Sequence, residues 1–176
     1  MTHQINYDET DSTNEAAKRF MAQDGHYESG VVITAKRQSQ GRGTKDRQWV
    51  SEPGGLYMSV LRPPIDLALS NPGDFVIKVA QKVIEVLKHQ TQVQAEIEWP
   101  NDLLLRDRKL GGILCESRWS RQEHKGYVII GIGVNVNQDH FPSPIDKVAI
   151  SLSQHTGQVY DLDTLISSIS KELLAW

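Results

Sequence analysis

The feature that most constrains the fold is a very apolar run at residues 126–137, GYVIIGIGVNVN. Such a run is typical of a strand buried on both faces, so we expect it near the centre of a sheet. A hairpin with its turn near residues 106–108 precedes it, and the second strand of that hairpin covers residues 110–116. Because several strands follow one another without an intervening helix, the sequence predicts an α+β fold with a mixed, largely antiparallel sheet and flanking helices. Further strands are expected at residues 5–7, 30–36, 54–62 and 95–99.

Three helices are expected to flank this sheet. The first begins in DSTNEAAKRFMA, where Asp11 or Ser12 can cap it and Glu15 completes a capping-box pattern with Ser12. The second covers residues 75–89, and the third covers roughly residues 161–174. The second helix is amphipathic, and helical spacing places five apolar side chains on its buried face: Val76, Val79, Val83, Val86 and Leu87.

Length and charge narrow the range of functions. A chain of 176 residues with 39% hydrophobic and 23% charged residues is typical of one globular domain, here residues 1–176. The formal net charge of −3 argues against a nucleic-acid-binding protein, which usually has a basic domain. Since the N-terminus has no signal-peptide pattern and no apolar run is long enough to span a bilayer, we expect a cytoplasmic protein without membrane association.

The cysteine and histidine content argues against a catalytic thiol and against a structural metal site. Cys115 is the single cysteine, and its place in the apolar run GGILCES favours a buried free thiol over a nucleophile. The six histidines are scattered without the spacing of metal ligands, so no structural metal site is expected.

A basic, glycine-containing loop follows the strand at residues 30–36 and reads QSQGRGTKDRQW. Arg42, Lys45 and Arg47 offer charge for a phosphate, and Trp49 offers a ring on which a base can stack. The glycines on either side of Arg42 allow the backbone to approach a ligand closely. Taken alone, such a loop is more often a solvated surface loop.

The segment EWPNDLLLRDRKLGG carries a second candidate feature. The predicted hairpin returns Lys109 toward Asp102, and a lysine–aspartate pair in a cleft suits an adenylation reaction. The lysine would stabilise charge on an α-phosphate and on an attacking carboxylate. An exposed ion pair of little energetic value remains the alternative.

The glycines of GIGVNVN form the third feature. Gly131 and Gly133 lie on one face of the expected strand and leave room there for a flat ligand, while Asn135 on the same face can bind a base. Packing of this face against a helix is an equal alternative. A dinucleotide-binding fingerprint is excluded, because the third glycine and the following helix are missing.

In this order, the blocks DSTN, RQSQGRG, RQW, GGLYMS, EWPND, RKLGGIL and GIGVNVN resemble the catalytic domain of biotin protein ligases. The resemblance extends from about Tyr7 to the last helix. It implies a fold similar to class II aminoacyl-tRNA synthetases. It also implies neither an N-terminal DNA-binding domain nor a C-terminal β-barrel domain in residues 1–176.

The resemblance also assigns roles to residues. Lys109, Arg42 and Asp102 are implied to be catalytic. The residues implied to contact biotin are Ser12, Thr13, Gln38, Gly41, Arg42, Lys109, Gly112, Ile113, Leu114, Gly131 and Gly133. The residues implied to contact ATP or the adenylate are Arg42, Lys45, Arg47, Trp49, Asn101, Asp102, Lys109 and Asn135.

The implied reaction joins biotin to ATP, with Mg²⁺, as biotinyl-5′-AMP. The biotinyl group then passes to a lysine of a biotin carboxyl carrier protein, the biotinyl domain of a biotin-dependent carboxylase. Members of the family often form dimers, so a homodimer stays open. No nucleic-acid partner is implied.

Three residues depart from the family pattern: Thr44 stands where a second arginine is frequent, Asp46 where a glycine is frequent, and Glu98 where a lysine is usual. The departures at Thr44 and Glu98 leave open a catalytically weak paralogue that senses or carries biotin or its adenylate. A lipoate or octanoate ligase on the same scaffold is a further alternative, although Gln38 and DSTN form a polar set suited to a ureido ring. A nucleic-acid-binding module is the weakest alternative, since the net charge opposes it.

Overall fold

A mixed sheet with the order β1-β2-β3-β7-β6-β5-β4 organises the computed structural model, which describes residues 3–23, 29–63, 71–120 and 125–176. Within these residues β1 and β2 pair in parallel, and each other neighbouring pair is antiparallel. The predicted α+β class and the central position of the apolar strand, β7, are confirmed. The strands are β1 (His3–Thr10), β2 (Val31–Gln38), β3 (Leu56–Arg62), β4 (Glu96–Glu98), β5 (Asp102–Leu105), β6 (Arg108–Ser120) and β7 (Lys125–Val134).

Helices cover the two faces of this sheet unequally. The helices are α1 (Thr13–Gln23), α2 (Pro72–Thr91), α3 (Leu152–Thr156) and α4 (Leu162–Leu174). The larger core lies between one sheet face and helices α2 and α4, whereas α1 covers part of the other face through Ala16 and Ala17. In β7 the alternation of a strand sends Ile130 and Ile132 to the larger core and Ile129 toward α1. Gly131 and Gly133 continue the face that α1 covers, and a cleft opens there beside the start of α1.

The buried face predicted for helix α2 was correct in part. Asn71 caps it by accepting the backbone N–H of Asp74, and Pro72 fits the first turn, where no N–H is needed. Val79, Val83 and Leu87 are buried as predicted, but Val76 and Val86 are only partly buried. The helix is rotated so that three other apolar residues share its buried face: Phe75, Ala80 and Ile84.

The β5–β6 hairpin has the predicted turn. Arg106 and Asp107 have φ values of 51° and 57°, the left-handed conformation at both central positions that matches the twist of the flanking strands. A register shift between Leu103 and Leu104 lies next to this turn, where Leu104 pairs with Lys109. The turn therefore returns Lys109 to the side of the hairpin that carries Asp102.

The junction between β1 and α1 differs from the predicted capping box. Asp11 accepts the backbone N–H of Ser12 at 2.7 Å and forms a two-contact ion pair with Arg19. The Glu15 carboxylate lies 2.8 Å from Lys18 Nζ and 2.5 Å from Arg42 Nη1, so two cations hold it away from the backbone. The prediction of a capping box between Ser12 and Glu15 was therefore wrong.

No helix in the described ranges is long and apolar enough to cross a membrane.

We expect Asp11→Asn to lower stability in a pH-dependent way. The Arg19 guanidinium holds the pKa of Asp11 well below its usual range. A depressed folded-state pKa gives stability that is present above the unfolded pKa of about 3.9 and is lost as the pH falls through the folded value. At pH 7 the variant should lose about 1 kcal/mol of unfolding free energy, discounted for partial exposure.

Urea unfolding at neutral pH and at stepwise lower pH measures this difference, which should narrow below about pH 4. Asp8→Asn is the matched control, because the Asp8–Lys36 pair is 91% and 78% exposed and should contribute nothing measurable. A loss at Asp11 that does not change with pH would contradict the expectation.

We expect the Cys115 thiol to be unreactive in the folded protein. Its side chain packs against the larger core, and burial raises its pKa to about 12. Because the thiolate is the reactive form, labelling by a disulfide reagent at pH 8 should be more than about 100-fold slower than in the urea-unfolded chain. Comparable rates in the two states would show that the thiol is open to solvent as a thiolate.

Candidate active site

An open cleft of about 210 Å³ lies on the sheet face that α1 leaves uncovered. The start of α1, the basic loop after β2, the β5–β6 hairpin and β7 surround it. Most residues that the sequence singled out border it: Ser12, Thr13, Gln38, Arg42, Arg47, Trp49, Asn101, Asp102, Lys109, Gly112, Ile113, Leu114, Gly131, Gly133 and Asn135. Residues far apart in sequence therefore meet at one place.

The floor of the cleft is made of two glycine-containing rows across the sheet. Gly131 pairs with Ser59 and Leu114, and Gly133 pairs with Gly112. A Cβ at Gly131 would lie 2.4 Å from Asn14 Oδ1, and one at Gly133 would lie 2.8 Å from Trp49 Nε1. The absent side chains therefore make room for Asn14 and for the Trp49 indole.

Ile113 borders the cleft, but its side chain faces away from it. Strand alternation sends Gly112 and Leu114 toward the cleft but sends the Ile113 side chain into the larger core, where it is 2% exposed. The wall of the cleft on β6 is thus formed by Gly112 and Leu114, and Ile113 supports it from behind.

Lys109 and Asp102 form an ion pair at the cleft, with Nζ 2.6 Å from Oδ2. Their side chains are 31% and 16% exposed, so the pair is neither buried nor fully solvated. The Lys109 backbone is fixed by bonds to Val148 and Ile150, and Asn101 Nδ2 donates to Asp102 Oδ1 at 3.0 Å. Both groups are thus held in place, unlike an ordinary exposed pair.

The basic loop forms a small closed hairpin. Trp49 donates its backbone N–H to the Gly41 carbonyl, and a Cβ at Gly41 would lie 2.3 Å from the Trp49 carbonyl oxygen. Glycine is required at position 41 by this contact within the loop. Of the residues that the sequence placed at the site, Gly41 and Lys45 do not border the described cleft, since Lys45 is exposed at the tip with φ 56°.

Trp49 lies on the paired glycines Gly112 and Gly133, with Lys109 Nζ 5.5 Å from its ring centroid. Its indole N–H is buried without a hydrogen-bond acceptor among the described residues. An unsatisfied buried donor costs about 1–3 kcal/mol, so the indole N–H destabilises this position of the ring.

One end of the cleft is polar and rigid. Gln38 Oε1 accepts the backbone N–H of Thr13 at 2.8 Å, and Gln38 Nε2 donates to Ser51 Oγ at 2.8 Å. Both ends of the carboxamide are therefore bonded, and its orientation is fixed.

Asn135 is 3% exposed and donates to the Lys109 carbonyl at 3.2 Å, which ties the end of β7 to the hairpin.

Sequence reasoning missed two groups of residues. Asn14, Ser59 and Glu116 form a polar network beneath the α1 end of the cleft. The signal for Asn14 was present, since it belongs to DSTN, but Glu116 had none. The segment after β7 also reaches the cleft, because a β-bridge joins Ala149 to Lys109. Its cleft-lining residues are Phe141, Ile145, Val148 and Ala149.

Known proteins are similar to this chain in sequence and in architecture. A model of the Biotin/lipoate A/B protein ligase family matches residues 7–135. The bifunctional ligase/repressor BirA of Bacillus spizizenii is 34% identical over 170 residues, which cover 95% of this chain and 51% of that protein. The biotin–[acetyl-CoA-carboxylase] ligase of Paracoccus denitrificans is 30% identical over 172 residues, which cover 95% of this chain and 70% of that protein.

A solved structure, the biotin protein ligase from Aquifex aeolicus in complex with biotin and ATP, matches with a TM-score of 0.78 at 32% identity, covering 97% of this chain and 70% of that chain. This chain spans about half the length of the BirA proteins that it matches. The matched range includes α1, the basic loop, the hairpin and β7, which are the elements that build the cleft. The chain therefore belongs to the biotin/lipoate A/B protein ligase family.

Proposed function

We propose that this domain activates biotin with ATP as biotinyl-5′-AMP and transfers the biotinyl group to a lysine of a biotin carboxyl carrier protein. The observation that carries the proposal is the fixed Lys109–Asp102 pair beside a glycine floor, with a rigid polar group at the other end of the cleft. The similarity to named biotin ligases, one of them in complex with biotin and ATP, supports it.

The two ends of the cleft suit the two ends of biotin. Thr13 and Gln38 offer oriented polar atoms for the ureido ring. Lys109 offers a cation for the carboxylate and for the α-phosphate of ATP. Trp49 and Asn135 border the cleft near Lys109, which suits the adenine side of a nucleotide.

In the first step a biotin carboxylate oxygen attacks the α-phosphorus of ATP, and the bond to pyrophosphate breaks. The Lys109 ammonium stabilises the negative charge that both reactants bring together. Mg²⁺ is usually held by one or two carboxylates and the substrate phosphates, and Asp102 supplies one carboxylate beside Lys109. The metal, arriving with ATP, would neutralise charge on the leaving pyrophosphate.

In the second step the ε-amine of a carrier lysine attacks the acyl carbon of the adenylate. The bond to AMP breaks, and the amine loses one proton as the amide forms. Neither step uses a nucleophile of the enzyme, which agrees with the protonated thiol of Cys115. The protein contributes position and charge.

Two of the residues that depart from the family pattern, Glu98 and Thr44, lie in different surroundings. Glu98 is exposed on β4 and is not among the described residues that line the cleft, so it gives little support to a catalytically weak paralogue. Thr44 borders the cleft and accepts a bond from Arg47 Nη2 at 3.0 Å. The polar end at Thr13 and Gln38 also favours biotin over lipoate, whose aliphatic chain and dithiolane lack partners for it.

Lys109→Ala is the decisive variant. With MgATP, the unmodified protein should release pyrophosphate when biotin is added and not when lipoate is added. The variant should lose about 10²–10³-fold of that rate, because a fixed cation at the reacting groups is removed. Lys45→Ala, which removes an exposed lysine of the loop tip, should keep the rate. Tight biotin binding by calorimetry without pyrophosphate release would instead identify a sensor or carrier.

Thr44→Arg should make the protein retain biotinyl-5′-AMP longer. A guanidinium at this edge of the cleft adds a charge-assisted hydrogen bond to the adenylate, which should slow its release by about 10-fold or more. Rapid filtration after single-turnover synthesis measures the release rate. Lys45→Arg, whose guanidinium stays outside the cleft, is the control, and equal release from both variants would reject the idea.

A further inference from the structure

We propose that Arg108 is a positioning residue that holds one wall of the cleft in place for the nucleotide. The wall segment, residues 141–149, contributes the apolar side chains of Phe141, Ile145 and Val148 to the cleft lining. Arg108 does not border the described cleft, so it acts through the wall segment. The inference rests on the proposed function, since it concerns the ATP that the proposed reaction consumes.

The wall segment has little structure of its own. It contains one 3₁₀ turn, Ile145–Lys147, and a single turn of this kind is not stable alone. Pro142 and Pro144 carry no N–H and give the segment no further donor. Among the residues that the structure describes, each hydrogen bond between the wall segment and the rest of the chain goes to Arg108 or Lys109. These two residues therefore hold the wall segment against the sheet.

Arg108 supplies the side-chain part of this attachment. Its Nη2 donates to the Asp146 carbonyl at 3.1 Å and also to the Ala149 carbonyl. Nη2 carries two N–H groups, so both bonds can form together. Carbonyls at the end of a helical turn lack partners within that turn, and the guanidinium supplies them here. Lys109 adds a backbone bond from its N–H to the Val148 carbonyl at 2.7 Å.

Adjacent residues of β6 thereby place the wall segment and the cation proposed for the reaction. Lys109 directs its ammonium into the cleft, while Arg108 binds the wall segment. Val148 is 58% exposed beside them, and an apolar side chain in this position gains burial when a flat ring covers it. Asn135, on the adenine side of the cleft, is tied to the same strand by its N–H bond to the Leu110 carbonyl at 2.7 Å. The wall segment therefore suits the nucleotide, not biotin.

The consequence is that the cleft is formed before the nucleotide arrives. If the wall segment is in place only part of the time, the apparent dissociation constant rises by the inverse of that fraction. Arg108 Nε is buried without an acceptor among the described residues, and this cost offsets part of the stability gained from the other bonds of the guanidinium. Loss of Arg108 should therefore weaken nucleotide binding more than it weakens the fold.

Arg108→Met is the test variant, because it keeps the apolar stem and removes the donors. In pyrophosphate release the KM for ATP should rise about 10-fold or more, while the KM for biotin should stay unchanged. Arg108→Lys keeps the charge without the forked donor geometry, so its KM for ATP should lie between those of the unmodified protein and Arg108→Met. Calorimetry with α,β-methylene-ATP, which cannot release pyrophosphate, gives the same comparison as dissociation constants in the presence of biotin.

Arg106→Met is the matched control. Arg106 is exposed in the turn of the same hairpin and makes no hydrogen bond to a described residue. Both KM values of this variant should equal those of the unmodified protein.

Hydrogen exchange separates positioning from general destabilisation. The Ala149 N–H donates to the Ile145 carbonyl at 2.8 Å and so reports whether the turn is formed. In Arg108→Met this N–H should exchange about 10-fold faster or more, and saturating α,β-methylene-ATP with biotin should restore its protection. The N–H groups of β7 should keep their exchange rates in the variant.

The outcomes separate the two proposals. If the unmodified protein binds α,β-methylene-ATP but releases no pyrophosphate from ATP with biotin, the proposed function fails, and nucleotide affinity and exchange in the variants still test Arg108. If the unmodified protein binds no nucleotide, both proposals fail. Equal nucleotide affinity in Arg108→Met and the unmodified protein would overturn the inference alone. Equal losses of biotin and nucleotide affinity, with faster exchange throughout the sheet, would also overturn it and leave Arg108 a structural role.

Discussion

The register between β6 and β7 at the centre of the sheet is the constraint on which the site depends. It aligns Gly112 with Gly133 and Leu114 with Gly131, and β5 in turn aligns Asp102 with Gly112. Because side chains alternate across a strand, a shift of one residue would turn the glycine floor into the core and the core into the cleft. The apolar residues of the larger core oppose such a shift, so packing on one face maintains the binding surface on the other.

Two cations at the cleft are paired with carboxylates of the protein, and this affects how a ligand binds. Lys109 is paired with Asp102, and Arg42 with Glu15. A bound carboxylate or phosphate therefore exchanges one partner for another, and part of its Coulomb attraction is offset. What remains favours ligands that bring more negative charge than one carboxylate, as a nucleoside triphosphate does. The Trp49 N–H, too, has no acceptor among the residues that the structure describes, so the loop leaves one buried donor unsatisfied.

Much of the fold was predictable because its signals are local. The hairpin turn, the central apolar strand and the span of the α2 helix follow from spacing and turn chemistry over a few residues. The errors arose where distant groups compete for a side chain. Glu15 does not cap its own helix because Lys18 and Arg42 hold it. Ile113 borders the cleft as expected, but the strand alternation turns its side chain into the core. Gly41, which the resemblance assigned to biotin, lies outside the described cleft lining and makes a close contact inside its own loop.

The sequence by itself determined the strand and helix periods, the positions of the special turns and the set of polar residues available to a site. Its ordered blocks also identified the family. Only the tertiary structure decided which polar groups share protons, because the partners of Asn14 are about 100 residues away in the chain. It also brought Ala149 beside Lys109 and the Trp49 indole onto Gly133. Hydrogen-bond direction in a buried network depends on every neighbour at once, and neighbours across a sheet leave no periodic pattern in a sequence.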